Sequence, residues 1–176
     1  LLATTHIPLS KITSSITKEL IQEKLDALVQ FCQKFKSRPT IKIAGLNPHS
    51  GENGQLGEQE INLINPAIVE WQKNHPNIKV LGPAPPDSCW IAAANAWKGQ
   101  PSESTPDGIL ALYHDQGLIP VKVIAFESAV NTTLGLPFIR TSPDHGTAFD
   151  IAAKGIARET SMLAAINAAW ELSNIK

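Results

Sequence analysis

The chain has 176 residues, 43% of them apolar and 18% charged, which is enough apolar material for one compact globular core. Its formal net charge is −1 and it has no basic run, which argues against nucleic acid or an anionic membrane as a partner. No apolar stretch reaches the ~20 residues of a membrane span and no signal peptide is visible. Cys32 and Cys89 make no disulfide framework, so a reducing cytoplasm is the expected compartment.

Leu1 to Thr5 reads as the tail of a strand, and without an initiating methionine we expect part of a longer protein to precede it. The stretch "HIPLSKI" reads as a loop. From Thr17 to Phe35, Leu25, Leu28, Cys32 and Phe35 recur at helical spacing, and Lys36-Ser37-Arg38-Pro39 stops that amphipathic helix. Ile41 to Leu46 is a short strand followed by the loop "NPHSGENGQLG". A helical segment starts near Glu58, and Pro66 must break or restart it because proline lacks the required amide. Ile78 to Leu81 is the next strand, closed by "GPAPPD", after which Asp87 or Ser88 is placed to cap a helix ending at Trp97. Residues 98–107 read as an exposed loop within a single unit spanning 1–176. Ile109 to Tyr113 is a buried strand, and "NTTLGLPFIRTSP" holds two short strands. Phe149 to Lys154 and Thr160 to Leu172 read as helices. Strands alternating with helices specify an α/β fold with a mostly parallel sheet.

His6, His49, His114 and His145 follow apolar strand-like runs, whereas His75, before Pro76, reads as a solvated connection residue. A parallel sheet gathers its strand ends along one edge, and three imidazoles there suit a divalent cation that keeps positions open for substrate. Taken singly, each histidine reads equally well as a surface residue or a cap. The glycines of "HSGENG" and "DQG" read as turn residues. No G-x-G-x-x-G or P-loop occurs. Lys122 in "IPVKVIAF" and Arg140 in "LPFIRTS" are charges in apolar surroundings, each needing a protein carboxylate or an anionic ligand. Asn131 lies between them in sequence. Asp87, Asp115 and Asp144 are candidate acid/base or metal-facing carboxylates.

The strings "LNPHSGENGQLGEQE", "GPAPPDS", "LYHDQGLIPVK" and "VNTTLGLPFIRTSPDHGTAFDIAAKG" resemble the 4-hydroxythreonine-4-phosphate dehydrogenases of pyridoxal phosphate (vitamin B6) biosynthesis. The resemblance runs in order from "ATTHIPL" almost to the end and corresponds to the C-terminal part of that family. It implies an α/β/α-layered architecture like that of isocitrate and isopropylmalate dehydrogenases, a homodimer, and active sites near the subunit interface. It implies His6, His49 and His114 as ligands of zinc, cobalt or magnesium, and Lys122, Asn131 and Arg140 as substrate contacts. His145, Gly146 and Thr147, in a loop resembling the adenine side of the related dehydrogenases, are the implied contacts to NAD or NADP. Asp87 and Asp115 match acidic residues near the site. The chain departs from the family at Ser88-Cys89-Trp90 and Gln55, and in a longer loop around "GQPSESTPD".

The reaction implied is oxidation of the secondary alcohol of 4-phosphohydroxythreonine, with hydride passing to NAD, followed by loss of carbon dioxide to give 3-amino-2-oxopropyl phosphate. Lys122, Asp115 and Asp87 form the set from which a general base would come. Two other readings stand beside this one. The first is a related metal-dependent dehydrogenase acting on another phosphorylated or carboxylated hydroxy acid. The second is a folded fragment that binds metal without turnover.

Overall fold

A computed structural model describes residues 1–175. The chain forms two compact units, Leu1–Pro120 and Val121–Lys176, where its length and composition had predicted one.

The first unit is built on a three-stranded parallel sheet of β1 (Thr40–Ala44), β2 (Lys79–Ala84) and β3 (Gly108–Leu110), in the order β2-β1-β3. Leu2 bridges Ala111 in parallel, and Ala3 N–H donates to the Ala111 carbonyl at 2.8 Å, so the start of the chain extends the β3 edge. Ile41 and Ile43 alternate with Thr40 and Lys42 along β1 and are fully buried. Helix α2 (Lys18–Cys32) supplies the facing stripe: Ile21, Leu25, Leu28, Val29 and Cys32 are buried at three- and four-residue steps. The Thr17 hydroxyl caps it by accepting from Leu20 N–H at 3.1 Å. Helix α3 (Asn65–Asn74) adds Ala67, Ile68 and Trp71 to the same core. Each large apolar side chain so enclosed contributes roughly 1.5–3 kcal/mol. Leu25, Leu28 and Cys32 pack as their spacing predicted, but the helix ends at Cys32, so Phe35, expected in the same stripe, lies beyond it and is exposed.

Several expectations need correction. "HIPLSKI" holds not a loop but the start of α1 (Leu9–Ser15), because Ile12 and the following Ile16 are buried four residues apart. Pro66 does restart a helix, since Glu60–Ile64 forms a π-helical turn running directly into α3. Neither the Asp87 nor the Ser88 side chain caps α4 (Ile91–Trp97), which begins after a run of turns at Trp90 with no side-chain cap. The largest difference is α5 (His114–Ala125): "HDQGLIPVK" is helical despite Gly117 and Pro120, because Gln116 and Gly117 are held in the interior. Gly117 is therefore no turn residue. A Cβ there would collide with the Leu2 side chain, so it is the point where α5 meets the bridge between Leu2 and Ala111.

In the second unit, β4 (Val130–Thr132) and β5 (Thr141–Pro143) pair antiparallel as expected, and α6 (Thr160–Asn174) packs on them. Thr141 Oγ1 donates to the Ala165 carbonyl at 2.8 Å, and Ala165 is buried beneath the hairpin. Only Phe149–Ile151 of the expected Phe149–Lys154 helix forms, as one short turn after Ala148 in a left-handed conformation. Val123, Phe149, Ile156 and Trp170 of this unit stay largely exposed. No helix among the described residues is long and apolar enough to cross a membrane.

Candidate functional site

Parallel pairing puts the C-terminal ends of β1, β2, β3 and the Leu2 strand along one edge. Chain order then delivers His49, Asp87, His114 and His6, respectively, a few residues past those ends. His6 and His114 meet, their ring centroids 5.3 Å apart. They line a cavity of about 170 Å³ with Thr4, Thr5, Tyr113 and Asp115. Asp115 Oδ1 lies 2.6 Å from His114 Nδ1. An ionised carboxylate only accepts, so Nδ1 carries the proton and Nε2 keeps its lone pair for a cation or a proton. His6 has a left-handed backbone, φ 47°, a conformation a non-glycine residue holds only where its surroundings impose it.

His49 does not join this pair: among the described residues no three ligand-type side chains gather closely enough to hold one ion. One chain therefore brings together two of the three expected ligands. The donor set is nonetheless the right kind for a divalent cation, with two imidazoles, one oriented by a carboxylate, beside an open cavity. Asp87 stands exposed in the turn after β2.

The turn bearing His49 has an unusual course. His49, Ser50, Gly51, Glu52, Asn53 and Gly54 all have positive φ, between 40° and 93°. Left-handed backbone costs roughly 1–2 kcal/mol at each non-glycine residue, so this segment must be held from outside. Glu60 holds it. Its side chain is buried, with Oε1 accepting from Leu46 N–H (2.7 Å) and Asn47 N–H (2.8 Å), and Oε2 from Asn47 Nδ2 (2.9 Å). Ser50 Oγ is buried nearby with no hydrogen-bond partner among the described residues.

Gln116 is the second residue whose role the sequence did not disclose. Its Oε1 accepts from Leu112 N–H and its Nε2 donates to the Gly45 carbonyl, both at 2.7 Å. It thus ties the end of β3, which leads to His114, to the end of β1, which leads to His49. A buried glutamine just past a buried strand was the only signal available. His75, expected to be merely solvated, instead stacks on Trp71 with 3.9 Å between centroids, while Trp71 Nε1 donates to Asp26 at 2.6 Å.

In the second unit, Lys122 Nζ lies 3.2 Å from Asp144 Oδ2 and donates to the Asp144 carbonyl at 2.9 Å. Of the two partners its apolar setting required, the structure supplies a protein carboxylate. Arg140 Nη1 donates to Thr133 Oγ1 at 2.9 Å, a neutral partner, and no carboxylate pairs with the guanidinium among the described residues. Asn131 is exposed on β4 opposite Ser142, so it shares the hairpin with Arg140. His145, Gly146 and Thr147 form an exposed stretch in which His145 Nδ1 lies 2.8 Å from the Gly146 carbonyl.

Comparison with known proteins places this arrangement. The family model described as Pyridoxal phosphate biosynthetic protein PdxA matches residues 1–169. The chain belongs to the PdxA family. A relative from Synechococcus sp. (strain RCC307), named 4-hydroxythreonine-4-phosphate dehydrogenase, is 58% identical over 173 residues, covering 98% of this chain and 53% of its own. A relative of the same name from Aquifex aeolicus is 52% identical over 94% of this chain and 48% of its own. The PdxA-family chain therefore spans about half the length of the curated relatives it matches. Among solved structures, the 4-hydroxythreonine-4-phosphate dehydrogenase of Klebsiella pneumoniae superposes with TM-score 0.81 at 40% identity, covering 96% of this chain and 48% of that one. A terephthalate 1,2-cis-dihydrodiol dehydrogenase from Burkholderia xenovorans superposes with TM-score 0.71 at 27% identity over 96% of this chain and 50% of that one.

Proposed function

We propose that the intact protein is a metal- and NAD-dependent dehydrogenase. It oxidises 4-phosphohydroxythreonine and releases carbon dioxide, yielding 3-amino-2-oxopropyl phosphate for pyridoxal phosphate synthesis in the cytoplasm. The observation that carries this reading is the His6–His114 pair at the sheet edge, with Asp115 orienting His114, in a chain 58% identical to a relative of that name. We read the architecture as akin to that of the isocitrate and isopropylmalate dehydrogenases, with NAD or NADP as the oxidant.

A divalent cation, zinc, cobalt or magnesium, would supply Lewis-acid polarisation of the substrate oxygen. His6 and His114 would hold it from one protomer, and His49 of a second copy would complete the set. This arrangement makes the protein a homodimer whose sites need both chains. The exposed apolar side chains of the second unit, Val123, Phe149, Ile156 and Trp170, support such an association. Arg140, with no carboxylate partner among the described residues, has the charge and planar fork that a phosphate dianion requires. Lys122 and Asn131 are its companions in substrate contact, and His145, Gly146 and Thr147 face the dinucleotide. Asp115 acts by fixing the His114 tautomer, so Lys122 and Asp87 remain the side chains from which the hydroxyl proton's acceptor would come. Once the alcohol is oxidised the product is a β-keto acid, which loses carbon dioxide readily.

A second reading rests on the dihydrodiol dehydrogenase likeness: the same half-fold serves a relative whose name denotes a substrate without phosphate. The deciding experiment assays the intact protein for NADH and carbon dioxide with 4-phosphohydroxythreonine and with a cis-dihydrodiol carboxylate, each with added cobalt. Turnover of the phosphorylated substrate alone is expected, and turnover of the diol alone would transfer the assignment. Residues 1–176 by themselves should not turn over, because one wall of a site cannot exclude water. Turnover by this segment matching that of the intact protein would refute that point.

A further inference from the structure

Among the described residues Glu60 is the only charged side chain that is buried, and nothing in the proposed reaction uses it. We propose that Glu60 is a positioning residue: its carboxylate clamps the left-handed turn from His49 to Gly54 and thereby sets where the His49 imidazole stands. The inference rests on the reading of His49 as a ligand.

Three N–H groups converge on the two oxygens of Glu60, two of them from the backbone of Leu46 and Asn47, immediately ahead of the turn. Asn47 Nδ2 also donates to Gln59 Oε1 at 2.7 Å, tying the entry of the turn to the residue before Glu60. The turn packs directly on the carboxylate. A Cβ on Gly51 would stand 2.8 Å from Glu60 Oε2 and 2.5 Å from the Gly57 carbonyl oxygen, and one on Gly57 would overlap the Asn47 side chain. Gly51 has φ 79° and Gly57 φ 137°, so both the space and the backbone conformation at these positions require glycine. Inside the turn, Glu52 N–H donates to the His49 carbonyl at 3.2 Å and Leu56 N–H to that of Gly51 at 3.0 Å. These bonds close the loop but do not anchor it to the sheet; the anchor is Glu60, at the first position of the π-helical turn. His49 itself is exposed, so Glu60 acts on it through the backbone.

The geometry also specifies a rescue. In Glu60→Gln the side-chain oxygen can still accept from Leu46 and Asn47, but those bonds lose their charge assistance, and the new amide meets the Asn47 amide donor to donor unless Asn47 and Gln59 both turn over. Adding Asn47→Asp restores an acceptor there, and Gln59, which faces the same atom, donates to that oxygen by turning its amide over. Wild type, Glu60→Gln, Asn47→Asp and the double variant are compared in the intact protein by hydrogen exchange of residues 45–57 and by cobalt(II) titration followed by visible absorption. Glu60→Gln is expected to speed exchange in the turn at least ~10-fold while α2 is unchanged, and to weaken cobalt binding ~10-fold, the scale of a lost supporting contact. The double variant should recover both to within about twofold. Unchanged exchange and affinity in Glu60→Gln overturn the proposal, as does a double variant that recovers neither. If Glu60→Gln does not fold, the double variant decides in the same terms. Cobalt affinity indifferent to His49→Ala would remove His49 from the metal site, while a turn loosened by Glu60→Gln would still establish the clamp.

Discussion

Replacing Gln116 by Met tests whether the two strand ends are tied as the structure shows. Methionine matches the length and volume of glutamine but offers no amide. Leu112 N–H and the Gly45 carbonyl, both on buried residues, would lose their 2.7 Å partners in one substitution. A buried polar group left unsatisfied costs roughly 1–3 kcal/mol, so the pair costs about 2–6. Burying the apolar methionine in place of an amide returns about 1 kcal/mol. The expected net destabilisation is about 1–5 kcal/mol. It should be read as a lowered urea midpoint at unchanged slope, with hydrogen exchange at Ile41 and Ile43 reporting on the sheet. Gln116→Glu separates the two bonds. It keeps the acceptor for Leu112 N–H, but can donate to the Gly45 carbonyl only when protonated, so its folded-state pKa should stand above its unfolded value. Its stability should therefore be fullest at low pH and fall as the pH rises through that folded-state value. A loss below ~0.5 kcal/mol in Gln116→Met, the scale of ordinary surface changes, would refute the reasoning.

Three further outcomes are expected. Asp115→Ala removes the acceptor that fixes the His114 tautomer and should weaken cobalt(II) binding about 10–100-fold in calorimetric titration, with no change counting against His114 as a ligand. Arg140→Lys keeps the charge but loses the bidentate fork, so substrate binding by the intact protein should weaken by roughly 1.5–3 kcal/mol; unaltered kinetics would remove Arg140 from the substrate site. Burial pushes the Cys89 thiol from 9.0 up to about 11, against the weaker pull of Lys42. It should therefore stay inert to disulfide reagents at pH 8 until the protein unfolds. Because the folded-state value is the raised one, this contribution is intact below pH 9 and is lost as the pH climbs toward 11, by up to ~1.4 kcal/mol per unit. Cys89→Ala should flatten that decline in alkaline denaturation curves.

The sequence alone determined the parts of this protein whose signals are local and periodic. Ile41 and Ile43 in β1 and Leu25, Leu28 and Cys32 of α2 bury what their spacing said they would, because strand and helix periods are written directly into side-chain order. Parallel pairing follows from the alternation of strands and helices, and it carries His6, His49 and His114 to one sheet edge. Whether those side chains then meet is a matter of tertiary structure. His6 and His114 do, because the Leu2 strand lies beside the end of β3; His49 does not, because a left-handed turn held by Glu60 intervenes. The same holds for "HDQG", where glycine and proline spoke for a loop. The hydrogen bonds of Gln116 to Leu112 and Gly45, and the space beside Leu2 that only Gly117 leaves free, made it a helix. Local propensity is worth fractions of a kcal/mol per residue, and a few buried polar bonds and one close packing contact exceed it.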